Sequence, residues 1–221
     1  MENFLELTHA IGDILNENKL LKIKQEFNKI SAKYREESGG VTVVTTKDQV
    51  LSYLSGRMIE TASVVDDVLN RVCQVTSFMC DVKTVLDIGS GTGSCLWAID
   101  NFVKNTEVVA LEKEPEMIKF AKQLNKNLSC AASYVQASVL SDEVKKLNAC
   151  DLVIESFMLN ELSDIDRVKA VDFMLSKAKD YVIMIEPGTP KSYERMMIVR
   201  ELFYLKGLIL FCLACIVMSV V

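Results

Sequence analysis

The chain has 221 residues, half of them apolar and a quarter charged. That size and balance predict one globular domain, or one with a small appendage, and exclude a disordered or collagen-like chain. A net charge of −5 argues against a basic nucleic-acid coat protein while leaving a local basic face open. Seven cysteines, an odd number scattered along the chain, read as the reduced thiols of an intracellular protein, and the single histidine, His9, leaves little for a His-activated nucleophile or a His-rich metal site.

The N-terminal stretch MENFLELTHAIGDILNENK places acids before its first lysine and has no long apolar core. It fits neither a secretory signal nor a basic, acid-poor presequence, so a cytoplasmic, bacterial location is expected. Over residues 1–36, Leu5, Ile11, Ile14, Leu15, Leu21, Ile23, Phe27 and Ile30 recur at near-helical spacing, and Ser38–Gly40 supplies a stop. Lys19, Lys22, Lys24, Lys29, Lys33 and Arg35 face one acid, Glu26, in this stretch. That is a solvated helix face or an RNA-facing one. Residues 46–72 read as one or two more helices, with Leu51, Tyr53, Leu54, Met58, Ala62, Val65 and Leu69 apolar, either as packing or as a lid over a pocket. Residues 1–80 are thus expected to form a helical N-terminal extension.

From residue 83, short apolar runs alternate with helical stretches: Thr84–Ile88, Glu107–Leu111, Tyr134–Gln136, Asp151–Ile154 and Tyr181–Ile185. This alternation predicts an α/β domain over 81–207, a doubly wound, mostly parallel Rossmann-like sheet with ligands at the carboxyl ends of its strands. The strongest motif is V-L-D-I-G-S-G-T-G-S at Val85–Ser94. A buried strand ends in Asp87, and Gly89, Gly91 and Gly93 then let the backbone turn tightly ahead of a helix whose free N–H groups face the same point. The G-x-G-x-x-G dinucleotide spacing is not met. D-x-G-x-G-x-G instead resembles the loop of class I S-adenosylmethionine (SAM) methyltransferases, where it approaches the methionyl part of the cofactor. A second strand ends at Glu112, about 20 residues on, where an acid can bind ribose hydroxyls. E-K-E-P-E-M-I-K-F-A (Glu112–Ala121) opens the next helix as that family's second motif does. In the adenine-contacting position stands Y-V-Q-A-S-V-L, offering Gln136 and Ser138 in place of the family's acid. No D/N-P-P-Y loop and no cysteine follows the fourth strand, so the general-base candidates are the carboxylates Glu155, Glu161 and Glu186, each with a structural role as its alternative.

The fifth strand runs into E-P-G-T-P, with Thr189 as N-cap and Pro190 as first helical residue, and a helix bearing R-E-L that Gly207 would stop. With Y-L-S-G-R-M-I-E-T-A (Tyr53–Ala62) and D-I-G-S-G-T-G-S-C-L-W-A (Asp87–Ala98), this resembles the small-ribosomal-subunit methyltransferase-like family of mitochondrial ribosome assembly proteins and their bacterial relatives. The resemblance covers about residues 45–207. It implies a SAM-binding protein acting on, or assembling, the small ribosomal subunit through its RNA; the alternatives are a non-catalytic assembly factor that keeps the SAM-binding fold and a small-molecule methyltransferase. Some members carry an iron–sulfur cluster on cysteines after the E-P-G-T-P helix, and those ligands are not expected in this chain.

The last fifteen residues, Gly207–Val221, carry no charge. The run is short of the about 20 residues that span a bilayer, so no stable membrane insertion is expected. A sixth strand is a second reading. In a third, one permitted codon choice for Leu213–Val220 spells P-C-L-H-S-N-E-C when read one base earlier, so residues 208–221 are expected to form an out-of-frame tail on a truncated chain.

Overall fold

The computed structural model describes residues 2–15, 44–75 and 81–205, together with the backbone of 209–210 and 216–219. The lysine-bearing segment from Lys19 to Arg35, the Ser38–Gly40 stop, Gly207, Cys212 and Cys215 lie outside the described residues.

Three helices precede the sheet: α1 (Glu2–Ile14), α2 (Lys47–Gly56) and α3 (Met58–Val75). Helix α2 starts at a capping box, in which the Thr46 hydroxyl accepts from the Gln49 N–H and the Gln49 carboxamide oxygen accepts from the Thr46 N–H. The chain then alternates β1 (Thr84–Ile88), α4 (Ser94–Phe102), β2 (Glu107–Glu112), α5 (Pro115–Leu124), β3 (Ala131–Gln136), β4 (Cys150–Ser156), α6 (Asp164–Lys177), β5 (Ala178–Ile185) and α7 (Pro190–Leu205). Thr189 caps α7 as its sequence predicts, its Oγ1 accepting from the Ser192 N–H at 3.2 Å.

The sheet order is β3-β2-β1-β4-β5-β7-β6, and β1 to β5 are mutually parallel. Strands β6 (Ile209–Leu210) and β7 (Ile216–Ser219) come from the apolar tail, and β7 runs antiparallel to both β5 and β6. The tail therefore supplies two short strands where the sequence suggested at most one. No helix among the described residues is long and apolar enough to cross a membrane.

Alternation along the strands divides the core. Val85, Leu152, Ile154, Ile183 and Ile185 pack with Val65, Leu69, Leu96 and Ile99 of α3 and α4 on one face. Leu86, Ile88, Val153, Val182 and Met184 pack with Val171, Met174, Val199 and Phe203 of α6 and α7 on the other. A third cluster joins Leu7 and Ile11 of α1, Leu51 and Leu54 of α2, and Met58 to Trp97 and Phe120. The N-terminal helices thus share a core with α4 and α5. Because β1 sends its crossover one way to β2 while β4 lies on its other side, the sheet has its switch point at the carboxyl end of β1, where such folds leave a crevice.

Candidate functional site

A cavity of about 480 Å³ opens at that switch point, a size within the about 300–1,000 Å³ usual for small-ligand pockets. Its wall draws on the ends of all five parallel strands: Gly89 after β1, Glu112 ending β2, Ser138 after β3, Ser156 ending β4 and Pro187 after β5.

The three loop glycines all have left-handed φ: +69° at Gly89, +54° at Gly91 and +93° at Gly93. Their surroundings differ. A Cβ at Gly89 would come within 2.6 Å of Met158 Cγ, and one at Gly93 would collide with the Asn125 carboxamide, so both glycines serve close packing. A Cβ at Gly91 would meet nothing within 4 Å, so this glycine borders open space. Asn125 is itself fixed. It accepts from Trp97 Nε1 at 2.8 Å and donates to Thr92 O at 3.2 Å and to the Tyr134 hydroxyl at 3.0 Å. On the other side the loop leans on the start of α3, where Ser94 Oγ donates to Met58 O and Thr92 Oγ1 to Met58 Sδ.

Glu112 ties β2 to this loop. Its Oε2 accepts from the Gly91 N–H at 2.9 Å, and its Oε1 accepts from the N–H groups of Lys113 and Glu114 at 2.7 and 2.9 Å. Three of a carboxylate's roughly four lone-pair positions are filled, leaving one on Oε2 for a ligand hydroxyl. Burial raises its pKa, and the N–H groups of Glu114, Gly91 and Lys113 oppose that rise.

Asp87 lies beneath the loop, fully buried, and neither carboxylate oxygen has a hydrogen-bond partner. Burial lifts its pKa to about 7, the nearby Cys95 thiol offsetting this in part and Glu112 adding to it. An ionisable group left uncompensated in a core is costly unless a ligand supplies the missing charge. These observations fit SAM: a bare backbone facing open space at Gly91, an acceptor position on Glu112, and an uncompensated acid under the loop for a cationic cofactor.

The remaining sequence candidates divide. Ser138 lines the cavity, and its Oγ accepts from the Leu140 N–H at 3.2 Å. Gln136 is exposed and lies outside the wall. Glu161 is in the wall, paired with Lys113 at 3.9 Å, whereas Glu155 and Glu186 are not. Glu155 is fully buried, with Oε2 accepting from the Met158 N–H at 3.2 Å; burial, then the neighbouring Glu186, push its pKa well above the carboxylate range. Glu186 accepts from the Asn160 N–H at 3.3 Å, and its pKa rises to about 7, chiefly through burial, against the pull of that N–H and of Arg167 and Arg195. Among the described residues no group of His, Cys, Asp and Glu could hold a metal ion.

Sequence reading did not assign Tyr53, Arg57 and Thr61 to the site, yet all three line the cavity. Their spacing of four is the available signal, since it puts them on one helical face across the α2–α3 junction. The Tyr53 hydroxyl lies 3.5 Å from Ser94 Oγ, and Arg57 Nη1 pairs with Glu60 Oε2 at 3.2 Å. Phe157, also in the wall, was not singled out either.

Strand order and loop together define a Rossmann-like fold of the class I methyltransferase type. Solved structures agree on the fold. An O-methyltransferase family protein from Burkholderia thailandensis superposes with a TM-score of 0.61 at 11% identity, over 78% of this chain and 59% of that one. The magnesium protoporphyrin IX methyltransferase of Synechocystis PCC 6803 with bound SAM gives 0.56 at 12% identity, over 93% and 98%.

Residues 47–212 match the family described as mitochondrial small ribosomal subunit Rsm22, and the chain belongs to that family. It is also 28% identical over 131 residues to the human mitochondrial ribosome assembly protein METTL17, covering 57% of this chain and 28% of that relative's length.

Proposed function

We propose that the chain binds SAM in the switch-point cavity and works on the small ribosomal subunit during its assembly, delivering a methyl group to ribosomal RNA. The observation that carries this reading is the pairing of Gly91 and Glu112: a backbone open to a ligand, held by a carboxylate that keeps one acceptor position free, in a chain of the Rsm22 family.

In this reading Glu112 Oε2 holds a ribose hydroxyl, Gly91 admits the methionyl part, and Ala137, Ser138 and Val139 flank the adenine. Asp87 compensates positive charge from beneath the loop. When bound, SAM supplies an electrophilic methyl group on its sulfonium. The protein's share is to align the acceptor with that methyl and to keep water away, for which Leu111, Met117 and Met158 provide apolar wall.

A second reading, an assembly factor that uses the bound cofactor structurally, is favoured by one observation: of the three carboxylates that could act as a base, Glu155 and Glu186 lie outside the wall, and Glu161 within it is paired with Lys113. Incubating the full chain with methyl-labelled SAM and immature small subunits separates the two. Co-sedimentation with label in the RNA supports the transferase reading. Co-sedimentation without label supports the assembly reading, and failure to co-sediment overturns both.

A further inference from the structure

Phe157 has φ +64°, in the left-handed region that bulky residues avoid. The strand it follows gives it little choice. Its N–H donates to Ile185 O at 2.7 Å, binding the turn after β4 to β5. The residues on either side are anchored toward the glycine loop: Ser156 Oγ lies 3.3 Å from Cys95 Sγ, and Met158 fills the space beside Gly89. Phe157 is half-buried: it packs against the core cluster that holds Ile183 and Ile185 and also forms part of the cavity wall. An aromatic ring is thus fixed, at a backbone cost that asparagine or glycine would avoid, beside the loop that would hold the methyl donor. Arg57 stands in the same wall.

We propose that Phe157 is the acceptor platform: an unpaired nucleobase of an RNA strand stacks on its ring next to the methyl donor, and Arg57 meets the adjoining phosphate. This rests on the RNA-directed reading above and narrows it to a base rather than a ribose hydroxyl or a protein side chain. A flat hydrocarbon face takes any base by stacking, which suits a site without a base-clamping D/N-P-P-Y loop.

The probe is an oligoribonucleotide abasic at every position except a central 2-aminopurine, titrated into the full chain with SAM present, with its fully abasic counterpart as control. The expected result is quenching of 2-aminopurine fluorescence on binding and an affinity roughly 5- to 150-fold above that of the abasic strand, the range of one base–aromatic stack. Phe157→Tyr retains both effects and Phe157→Leu loses them. Calorimetry with SAM serves as the separate readout for the cofactor site. Equal affinity for both strands, or unchanged quenching in Phe157→Leu, overturns the platform while the cofactor reading stands. If the folded wild-type chain does not bind SAM, the cofactor reading itself fails and the platform with it. The comparison of the two strands needs no variant, so it decides the matter even if a substitution prevents folding.

Discussion

Replacing Asp87 with asparagine should stabilise the ligand-free protein at alkaline pH while weakening its hold on SAM. The carboxyl is fully buried with only the Cys95 thiol beside it in weak support, and its pKa is lifted to about 7 from an ordinary 3.8. A raised folded-state pKa means that the folded chain binds the proton more tightly than the unfolded one. The stability this contributes is fully present below pH 3.8 and is lost as pH rises through about 7. The full excursion is about 4 kcal/mol at about 1.36 kcal/mol per pK unit, of which about 2.5 kcal/mol falls between about pH 5 and pH 8. The asparagine side chain cannot ionise, so the Asp87→Asn variant should gain on wild type by about 2–3 kcal/mol across that window. Glu155 and Glu186 also have raised values and tilt both proteins alike, whereas Glu112, which repels Asp87, loses that repulsion in the variant and adds to the same difference. Urea unfolding at half-unit steps from about pH 5 to pH 8.5 measures it. At about pH 8 the same variant should bind SAM roughly tenfold more weakly, the order of one unit charge at about 10 Å through an effective dielectric constant of about 20. A variant less stable than wild type at alkaline pH, or a difference that stays flat with pH, would refute the view of Asp87 as an uncompensated acid.

The glycines should separate packing from ligand access. Gly93→Ala drives a methyl group into Asn125 and should cost more than about 2 kcal/mol in urea unfolding, whereas Gly91→Ala should cost about 1 kcal/mol for its positive φ yet abolish SAM binding by calorimetry. Asn125→Ala strands the buried Nε1–H of Trp97 and should destabilise the fold by about 1–3 kcal/mol. Since Trp97 is the single tryptophan, its emission should shift with that substitution, and an unchanged spectrum would contradict the hydrogen bond.

The order of elements from Thr84 onward was legible because strand and helix periods alternate and the glycine loop fixes the first turn. Asp87, Gly91 and Glu112 were legible as candidates because a SAM site would demand those residue types at those places. Other features depend on tertiary context. Glu155 reads as an acid at a strand end, yet it is fully buried and accepts from the Met158 N–H, and Gln136 reads as a ligand contact while it is exposed to solvent. The left-handed turn at Phe157 has no local signature, since it is imposed by the bond to Ile185 O. Tyr53, Arg57 and Thr61 lay in a recognised segment, but only the packing of Met58 on the glycine loop shows that their face meets the cavity. Strands β6 and β7 are too short for periodicity to reveal, being two and four residues long.

Isothermal titration of SAM into the full, folded chain tests most directly whether SAM enters the switch-point cavity. Saturable binding of one equivalent is expected, lost in the Gly91→Ala variant, whose fold is retained. Absence of heat from a wild-type chain shown to be folded, or undiminished binding by Gly91→Ala, would contradict SAM entry there.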